Sequence, residues 1–316
     1  MNSIKNSAEN KKNQTLIPIL VGPTASGKTS VATELADSYP QIEIISADSR
    51  QIYKDLSIGT DKPSAEMITN YKFHLVDFVE PGERYTAFDF VEDSNKIIDS
   101  LLEKQIVPLI CGGTGLYVRS LVEGIVELPD DDFSYRNQLE NETITKGPKY
   151  LFEKLQAIDP VEAEKVHPHN IKKIIRALEI YHLTGKPKSE YLAHDQESES
   201  KYCYKIFCLN PPREKLYEKI NARVDVMIKS GLLDEVELLI KNGQKEAVQK
   251  VNVIGYNELF RYFDNEISLE TAVNLIKQNN RRYAKRQITW FTGTKNISFY
   301  DSADSLRADL ERFWVK

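Results

Sequence analysis

The eight residues from position 22 to 29, Gly-Pro-Thr-Ala-Ser-Gly-Lys-Thr, constrain the fold more than any other segment of this chain. They follow the apolar run Leu16–Val21, which predicts a strand, and lead into Lys28–Ser38, which predicts a helix. A glycine-rich turn in this context lets the backbone wrap around phosphate oxygens, while the helix N-terminus directs unpaired N–H groups at them. The segment therefore predicts a phosphate-binding loop in an α/β fold.

Each residue type in this loop has a chemical use. Lys28 offers a positive charge, and Thr29 offers a hydroxyl ligand for Mg²⁺, the expected cofactor. The loop alone suits a nucleotide kinase, an NTPase and a transferase with a diphosphate leaving group equally well. The predicted phosphate- or donor-binding residues are Gly22, Pro23, Thr24, Ala25, Ser26, Gly27, Lys28 and Thr29.

Apolar runs alternate with helical patterns through the first third of the chain, which predicts a parallel sheet covered on both faces. From about residue 130 to 200 only helical periodicity is present. The predicted fold class is α/β, a P-loop-type parallel sheet core flanked by helices, with an all-helical insertion domain. The further predicted strands are Ile42–Ser46, Phe73–Asp77, Val107–Cys111, Cys203–Leu209 and Ile297–Tyr300.

The expected domain organisation follows from these patterns. Residues 15–129 and 202–316 form the core with its C-terminal helices, residues 130–201 form the insertion, and residues 1–14 form a disordered tail. The tail lacks the apolar region and the arginines of targeting peptides, and no apolar run approaches the ~20 residues of a membrane-spanning helix. We expect a cytoplasmic protein with no membrane partner. Nothing in the sequence requires more than a monomer.

The formal net charge of −5 argues weakly against a nucleic-acid partner, whose phosphates need cationic neutralisation. Two confined basic patches can nevertheless bind RNA in an acidic protein. One comprises Lys172, Lys173, Arg176, Lys186 and Lys188, and the other Lys277, Arg281, Arg282, Lys285 and Arg286. A solvated helix face is the alternative for each patch. The three cysteines, Cys111, Cys203 and Cys208, lie in apolar strand-like runs and are expected to be buried thiols.

Two polar residues follow the second and fourth predicted strands. Asp48 lies in the segment Ser46–Tyr53, and Thr114 lies in the run Gly112-Gly113-Thr114-Gly115. Ligands in open α/β sheets bind beyond the carboxyl ends of the strands, so Asp48 should face the phosphate-binding loop. From the residues alone, Asp48 can bind Mg²⁺, accept a proton or cap a turn, and Thr114 can contact a ligand or cap a helix.

Five blocks of this sequence, in order and spacing, resemble the tRNA dimethylallyltransferases, also called isopentenyl-tRNA transferases. The blocks are GPTASGKT at 22–29, ADSRQIY at 47–53, CGGTGLYV at 111–118, the insertion segments Asp159-Pro160, His167–Asn170 and Arg176–Glu179, and the C-terminal signatures Ile254–Tyr256 and Ala284–Trp290. The resemblance extends from about Leu16 to Trp290. Asn252 stands where many members carry arginine, and residues 167–170 read His-Pro-His-Asn where the family has His-Pro-Asn-Asp.

The resemblance implies transfer of a dimethylallyl group from dimethylallyl diphosphate to N6 of adenosine 37, beside the anticodon of tRNA, with release of diphosphate. It implies Asp48 as general base, with Thr114 as the second catalytic residue. The expected partners are dimethylallyl diphosphate and the anticodon stem-loop of tRNA. Together with the basic patches, it implies tRNA contacts at Asp48, Ser49, Arg50, Gln51, Tyr53, Thr114, Arg136, Lys172, Lys173, Arg176, Asn252, Gly255, Tyr256, Asn257, Arg281, Lys285 and Arg286.

Three other functions compete with this interpretation. A small-molecule P-loop kinase explains the phosphate loop and Asp48 but gives no reason for the helical insertion or for the block Lys285–Trp290. An isopentenyltransferase acting on free AMP or ATP uses the same chemistry, although the insertion and its basic helix favour tRNA. The third is an RNA-binding protein that uses a nucleotide only as a switch. For Arg50, Gln51 and Tyr53, ordinary loop packing is the alternative.

Overall fold

The computed structural model describes residues 15–130, 132–194 and 200–314. The chain packs as two compact units, one comprising Met1–Glu123 and Ser200–Lys316 and the other Gly124–Glu199. The predicted insertion spans residues 130–201, and the predicted tail at 1–14 lies outside the described residues. We call the two units the sheet unit and the helical unit. No helix among the described residues is both long and apolar enough to span a bilayer.

The sheet unit is built on one parallel sheet with the strand order β3-β2-β4-β1-β5-β6. The strands are β1 (Leu16–Val21), β2 (Ile42–Ser46), β3 (Phe73–His74), β4 (Val107–Gly112), β5 (Cys203–Leu209) and β6 (Ile297–Tyr300). All six were predicted, but β3 is shorter than expected. Leu75 and Asp77 adopt positive φ angles of 58° and 61°, which end the extended conformation.

Helices cover this sheet and continue beyond it. Those of the sheet unit are α1 (Lys28–Ser38), α2 (Ala65–Asn70), α3 (Ala87–Glu103), α4 (Gly115–Glu123), α10 (Arg213–Lys229), α11 (Leu232–Lys241), α12 (Lys245–Val251), α13 (Tyr256–Phe263), α14 (Leu269–Thr292) and α15 (Ala303–Trp314). The central strand β1 is buried on both faces, as expected for a parallel strand. On one face, Val31 and Leu35 of α1 share a core cluster with Leu306 and Leu310 of α15.

The described part of the helical unit contains helices and no strand. Its helices are α5 (Phe133–Lys146), α6 (Pro148–Ile158), α7 (Pro160–Ala163), α8 (Ile171–Thr184) and α9 (Lys188–His194). Its core includes Leu139, Leu151, Leu155, Ile174 and Leu178. Asn170 caps α8 by accepting a hydrogen bond from the Lys173 N–H, and Gly185 ends that helix at a φ of 71°. The predicted fold class, a parallel sheet core with an all-helical insertion, is confirmed.

None of the three cysteines forms a disulfide within the described part of the chain. Cys111 and Cys208 are buried, as predicted, whereas Cys203 is half-buried. Burial raises the pKa of Cys111 to about 11, which keeps its thiol protonated and unreactive at neutral pH.

Candidate active site

The carboxyl ends of β1, β2 and β4 bring three loops together. The Ala47 N–H donates to the Cys111 carbonyl at 2.9 Å, and the Thr114 N–H donates to the Ala47 carbonyl at 3.1 Å. A Cβ on Gly112 would lie 2.2 Å from the Ala47 oxygen. Only glycine permits this approach, so the loops after β2 and β4 are joined backbone to backbone.

The phosphate-binding loop, residues 22–29, follows β1 and opens α1. Ala25 and Gly27 have φ angles of 61° and 99°, and the space around the Gly27 Cα is open. The Ser26 N–H donates to the Pro23 carbonyl at 3.2 Å, while the Ser26 hydroxyl is buried without a hydrogen-bond partner among the described residues. The loop thus forms a concave backbone surface at a helix N-terminus, which suits an anion.

Lys28 supplies the charge of this surface. Burial lowers the pKa of Lys28, with the Arg223 charge acting in the same direction, and the Asp48 and Asp61 charges oppose the shift. An anion in the loop would favour the protonated amine and reverse the shift. The Lys28 Nζ lies 3.3 Å from the Pro23 carbonyl oxygen, so its ammonium group stays folded over the loop.

Asp48 caps its own turn with one oxygen and keeps the other available. Its Oδ1 accepts hydrogen bonds from the backbone N–H of Arg50 at 2.9 Å and of Gln51 at 3.4 Å. Among the described residues, its Oδ2 accepts no hydrogen bond and the carboxylate forms no ion pair. The turn-capping alternative therefore holds for one oxygen and leaves the second for a ligand.

Thr114 connects the loop after β4 to the loop that carries Asp48. Its Oγ1 accepts a hydrogen bond from the Ser49 N–H at 2.9 Å and donates to the Ser49 Oγ at 3.2 Å. The Thr114 carbonyl accepts the Val118 N–H at the start of α4. Thr114 therefore begins the helix through its backbone, while its hydroxyl lies beside the Asp48 loop.

These loops line one cavity of about 640 Å³ within the sheet unit. Its other walls come from α10, from the segment after α12 and from α14, which starts more than two hundred residues after the phosphate-binding loop. Five cationic side chains line it, and a salt bridge of 3.0 Å joins Arg223 to Asp61. The cations are Lys28, Arg50, Lys219, Arg223 and Arg286. This charge distribution suits an anionic ligand with Asp48 beside it.

Several residues that line the cavity were not predicted from the sequence. Lys219 and Arg223 lie four residues apart on one face of α10, a signal visible in the sequence but common on solvated helices. Tyr283 of α14 is half-buried, and its pKa is raised to about 12 by desolvation and by the Asp48 charge. The remaining unpredicted polar residues are Ser30, Ser46, Thr60, Asp61, Glu258, Asn279, Asn280 and Gln287.

Three predicted tRNA-contacting residues have structural roles in the sheet unit. Tyr53 is 7% exposed within a core cluster, which supports the loop-packing alternative. Tyr256 is fully buried, and its hydroxyl donates to Glu235 at 2.6 Å. Gly255 adopts a φ of 105° before α13, and its N–H donates to the Glu258 carboxylate at 2.8 Å. These internal contacts give the three residues a structural role, and their predicted tRNA contacts stay predictions.

Other predicted contacts do line the cavity. The Gln51 side chain donates to the carbonyls of Thr60 at 3.3 Å and Asp61 at 2.8 Å, so it holds a wall segment in place. Asn252 accepts a 2.7 Å hydrogen bond from the Asn257 amide, and both residues line the cavity. Ser49, whose hydroxyl is bonded to Thr114, precedes Arg50 and Gln51 in the chain but does not line the cavity.

The basic patch of α14 is only partly available. Lys277 forms a 2.6 Å ion pair with Asp225, and Arg281 donates to the Asn221 side chain at 2.6 Å. Lys285 and Arg286 are exposed, and Arg286 also lines the cavity. The last two are therefore better candidates for an RNA contact than Arg281.

The predicted cationic tRNA contacts of the helical unit divide in the same way. Arg136 and Arg176 both bind the fully buried Glu179 carboxylate, at 2.8 Å and 2.6 Å, and Arg176 also donates to the Pro129 carbonyl at 2.7 Å. Lys172 and Lys173 are exposed on α8. Both predicted arginines therefore have an internal partner, Glu179. The sequence analysis did not predict this pairing.

Comparison with known proteins adds an independent line of support. A family model described as IPP transferase matches residues 51–294, and one described as isopentenyl transferase matches residues 15–77. A tRNA dimethylallyltransferase of Acetivibrio thermocellus is 42% identical over 302 residues, covering 93% of this chain and 96% of the relative. One from Bacillus cereus is 41% identical over 290 residues, covering 91% and 90%.

Solved structures agree. The tRNA isopentenylpyrophosphate transferase of Bacillus halodurans is 36% identical and covers 95% of each chain with a TM-score of 0.67. A eukaryotic dimethylallyltransferase acting on tRNA is 27% identical and covers 87% of this chain and 69% of its own, with a TM-score of 0.73. These matches confirm the resemblance seen in the motifs. The protein belongs to the IPP transferase family, the tRNA dimethylallyltransferases, and is an enzyme that transfers a prenyl group to tRNA.

Proposed function

We propose that this enzyme transfers the dimethylallyl group of dimethylallyl diphosphate to N6 of adenosine 37 in tRNA. The observation that carries the proposal is the single cavity lined by both the phosphate-binding loop and Asp48. The loop would hold the diphosphate, and the Asp48 carboxylate has one oxygen outside its turn-capping hydrogen bonds. An anion-binding loop and a proton acceptor in one cavity meet the needs of this reaction.

The reaction breaks one bond and forms another. The bond between the allylic carbon and the diphosphate oxygen breaks, and its electron pair leaves with the diphosphate. The N6 lone pair forms the new bond to carbon, and the N6 proton passes to Asp48. The adenine lone pair is delocalised into the ring, so general-base assistance of about 10²–10⁴-fold is expected.

Charge on the departing diphosphate needs stabilisation. Lys28, Arg223 and the backbone N–H groups of the loop would provide it, since preorganised donors stabilise developing charge more effectively than water does. The lowered pKa of Lys28 supports this role, because a buried amine gains most from an anionic neighbour. Lys219 and Arg286 also line the cavity and add to its positive charge.

Mg²⁺ fits the donor set of this cavity. Thr29 lines it and offers a hard oxygen ligand, and Mg²⁺ commonly takes few protein ligands with phosphate oxygens and water completing the octahedron. In the described ranges no cluster of three or more His, Cys, Asp or Glu residues could hold a metal, so Thr29 and the diphosphate would share the ion. When bound, it neutralises charge on the leaving group.

The tRNA contacts follow from exposure and cavity lining. A base in a stack is unreachable, so adenosine 37 must be extruded into the cavity beside Asp48. Arg50, Asn252 and Asn257 line the cavity and would meet the extruded nucleotide there, while Thr114 holds the Asp48 loop through Ser49. The exposed cations Lys285, Arg286, Lys172 and Lys173 would bind backbone phosphates.

The test supplies the protein with Mg²⁺, labelled dimethylallyl diphosphate and unmodified tRNA, and maps the labelled nucleotide. We expect label on N6 of adenosine 37 and one diphosphate released for each group transferred. A tRNA with guanosine at position 37 is the matched control and should remain unlabelled. Labelling of free AMP at a rate comparable to tRNA would contradict the acceptor assignment, and labelling of another nucleotide would contradict the position.

A further inference from the structure

Gln287 of α14 bridges two of the loops at the cavity. Its Oε1 accepts a hydrogen bond from the Thr24 N–H at 2.8 Å, and its Nε2 donates to the Gly113 carbonyl at 2.9 Å. The partners determine the orientation of the amide, since an N–H requires an acceptor and a carbonyl requires a donor. With only 6% of its surface exposed, Gln287 has both ends of its amide occupied by backbone groups.

The loops are packed tightly around this amide. A Cβ on Gly113 would lie 2.4 Å from the Gln287 Nε2 and 3.3 Å from the Gly22 carbonyl oxygen. The phosphate-binding loop therefore touches the loop after β4 directly, and Gln287 closes the contact from the side of α14. A Cβ on Gly115 would in turn lie 2.3 Å from the Trp290 ring, so the same helix also packs against the start of α4.

A short series of contacts leads from this clamp to the proposed reaction centre. Thr114 follows Gly113 in the chain, and its hydroxyl bonds both the N–H and the hydroxyl of Ser49, the residue after Asp48. At the other end, Thr24 belongs to the loop that would hold the diphosphate. The Thr24 N–H is already engaged by Gln287, so it is a point of attachment rather than a donor to phosphate.

We propose that Gln287 is a positioning residue that sets the distance between the diphosphate-binding loop and the Asp48–Thr114 pair. The inference rests on the proposed transfer reaction. Displacement at carbon needs the leaving group, the carbon and N6 aligned, and a misplacement of about 1 Å can lower the rate by about 10²-fold. Loss of the clamp should therefore lower kcat rather than weaken the binding of either substrate.

The test compares Gln287→Met and Gln287→Glu with wild type in single-turnover and steady-state assays. Methionine is similar in length and loses both hydrogen bonds, whereas glutamate keeps the acceptor for Thr24 and loses the donor to Gly113. We expect kcat to fall about 10- to 100-fold for Gln287→Met, with each KM changing less than about threefold. For Gln287→Glu we expect a fall in kcat and also a higher donor KM, because a carboxylate beside the loop opposes the diphosphate.

Ile276→Val is the matched control. Ile276 lies on the same helix, 1% exposed, in a core cluster that does not include Thr24, Gly113 or Gln287. This change should lower Tm by a few degrees and leave kcat unaltered. If Gln287→Met kept a single-turnover rate within threefold of wild type, or lost activity only through the tRNA KM, the positioning role would be refuted. Should Gln287→Met not fold, Gln287→Glu is judged by the same kcat criterion. An inactive wild-type protein would instead refute the proposed reaction.

Discussion

Buried polar groups are used differently in the two units. In the helical unit, Glu179 binds Arg136 and Arg176, and Asp159 binds Ser189 and caps α7, so these carboxylates are satisfied from within. Around the cavity of the sheet unit, some buried polar groups lack hydrogen-bond partners among the described residues. The Ser26 hydroxyl and the Asn257 Oδ1 are buried without a partner among the described residues. The Glu142 Oε2 of the helical unit also lacks a hydrogen bond there, but it lies 3.6 Å from the Lys154 Nζ.

The difference indicates where a ligand belongs. Buried polar groups are nearly always hydrogen-bonded in native proteins, so those left over around a cavity indicate positions that a bound molecule completes. A satisfied network instead stiffens its surroundings. Mutations should therefore affect chemistry in the sheet unit and stability in the helical unit.

The largest effect is expected at Asp48. Asp48→Asn keeps an oxygen that can cap the turn but removes the proton acceptor, so the transfer rate should fall about 10²–10⁴-fold while tRNA affinity stays nearly unchanged. Single-turnover transfer and filter binding of tRNA measure the two quantities. Asp48→Ala should be equally inactive. A near wild-type transfer rate in either variant would contradict the general-base role of Asp48. It would also contradict the expectation that mutations in the sheet unit affect chemistry.

The next largest effect is on stability, at Glu179. Glu179→Gln leaves two guanidinium groups without their buried carboxylate and should destabilise the helical unit by about 3–5 kcal/mol. Neither tryptophan lies in this unit, so hydrogen exchange of its peptides is the appropriate measurement. The control is Glu153→Gln, the same change in an exposed pair with Lys149, which should cost less than about 0.5 kcal/mol. Equal effects of the two changes would contradict the structural role of Glu179.

A smaller, pH-dependent effect is expected at Asp159. Burial alone would raise the pKa of Asp159, but hydrogen bonds from Ser189 and the Glu162 N–H outweigh burial and lower it. Its folded-state pKa is therefore below the unfolded value of about 3.9, so its contribution is present above that pH and is lost as the pH falls through the folded-state pKa.

Replacing Asp159 with asparagine tests this contribution. Asp159→Asn should cost about 1–3 kcal/mol at pH 7 and flatten the acid limb of stability in the helical unit. Acid titration followed by hydrogen exchange of α7 and α9 peptides measures both. An acid limb as steep as that of wild type would show that other carboxylates control the acid sensitivity of this unit.

The smallest expected effect is on tRNA affinity, and it should differ between exposed cations and cations that already form ion pairs. Lys285→Ala with Arg286→Ala should weaken tRNA binding about tenfold and reduce the salt slope of log K by about two, because each removes a phosphate contact. Lys172→Ala with Lys173→Ala should act similarly if the helical unit binds RNA. Arg136→Ala should lower stability with little change in the salt slope, since its guanidinium already binds Glu179. An unchanged slope in the first pair would remove α14 from the RNA interface.

Much of this protein was determined by its sequence alone. Gly22, Gly27, Lys28 and Thr29 lie within eight consecutive residues, and the loop they form depends only on local conformation. The phosphate-binding loop could therefore be identified before the tertiary structure was known. The apolar runs predicted all six strands for the same reason, and Asp48 and Thr114 were placed correctly at strand ends. The positive φ angles that shorten β3 are local as well, but Leu75 carries no residue signal for such a turn.

Only the tertiary structure decided which distant side chains meet. Gln287 bonds Thr24 across 263 residues, and Arg223 reaches the cavity from α10, contacts that no local pattern encodes. In the tertiary structure Tyr53 and Tyr256 are buried, and Arg136 and Arg176 form ion pairs with Glu179. The sequence analysis had predicted tRNA contacts for all four residues. The physical reason is that local propensity acts over a few residues, whereas burial and ion pairing depend on the path of the whole chain.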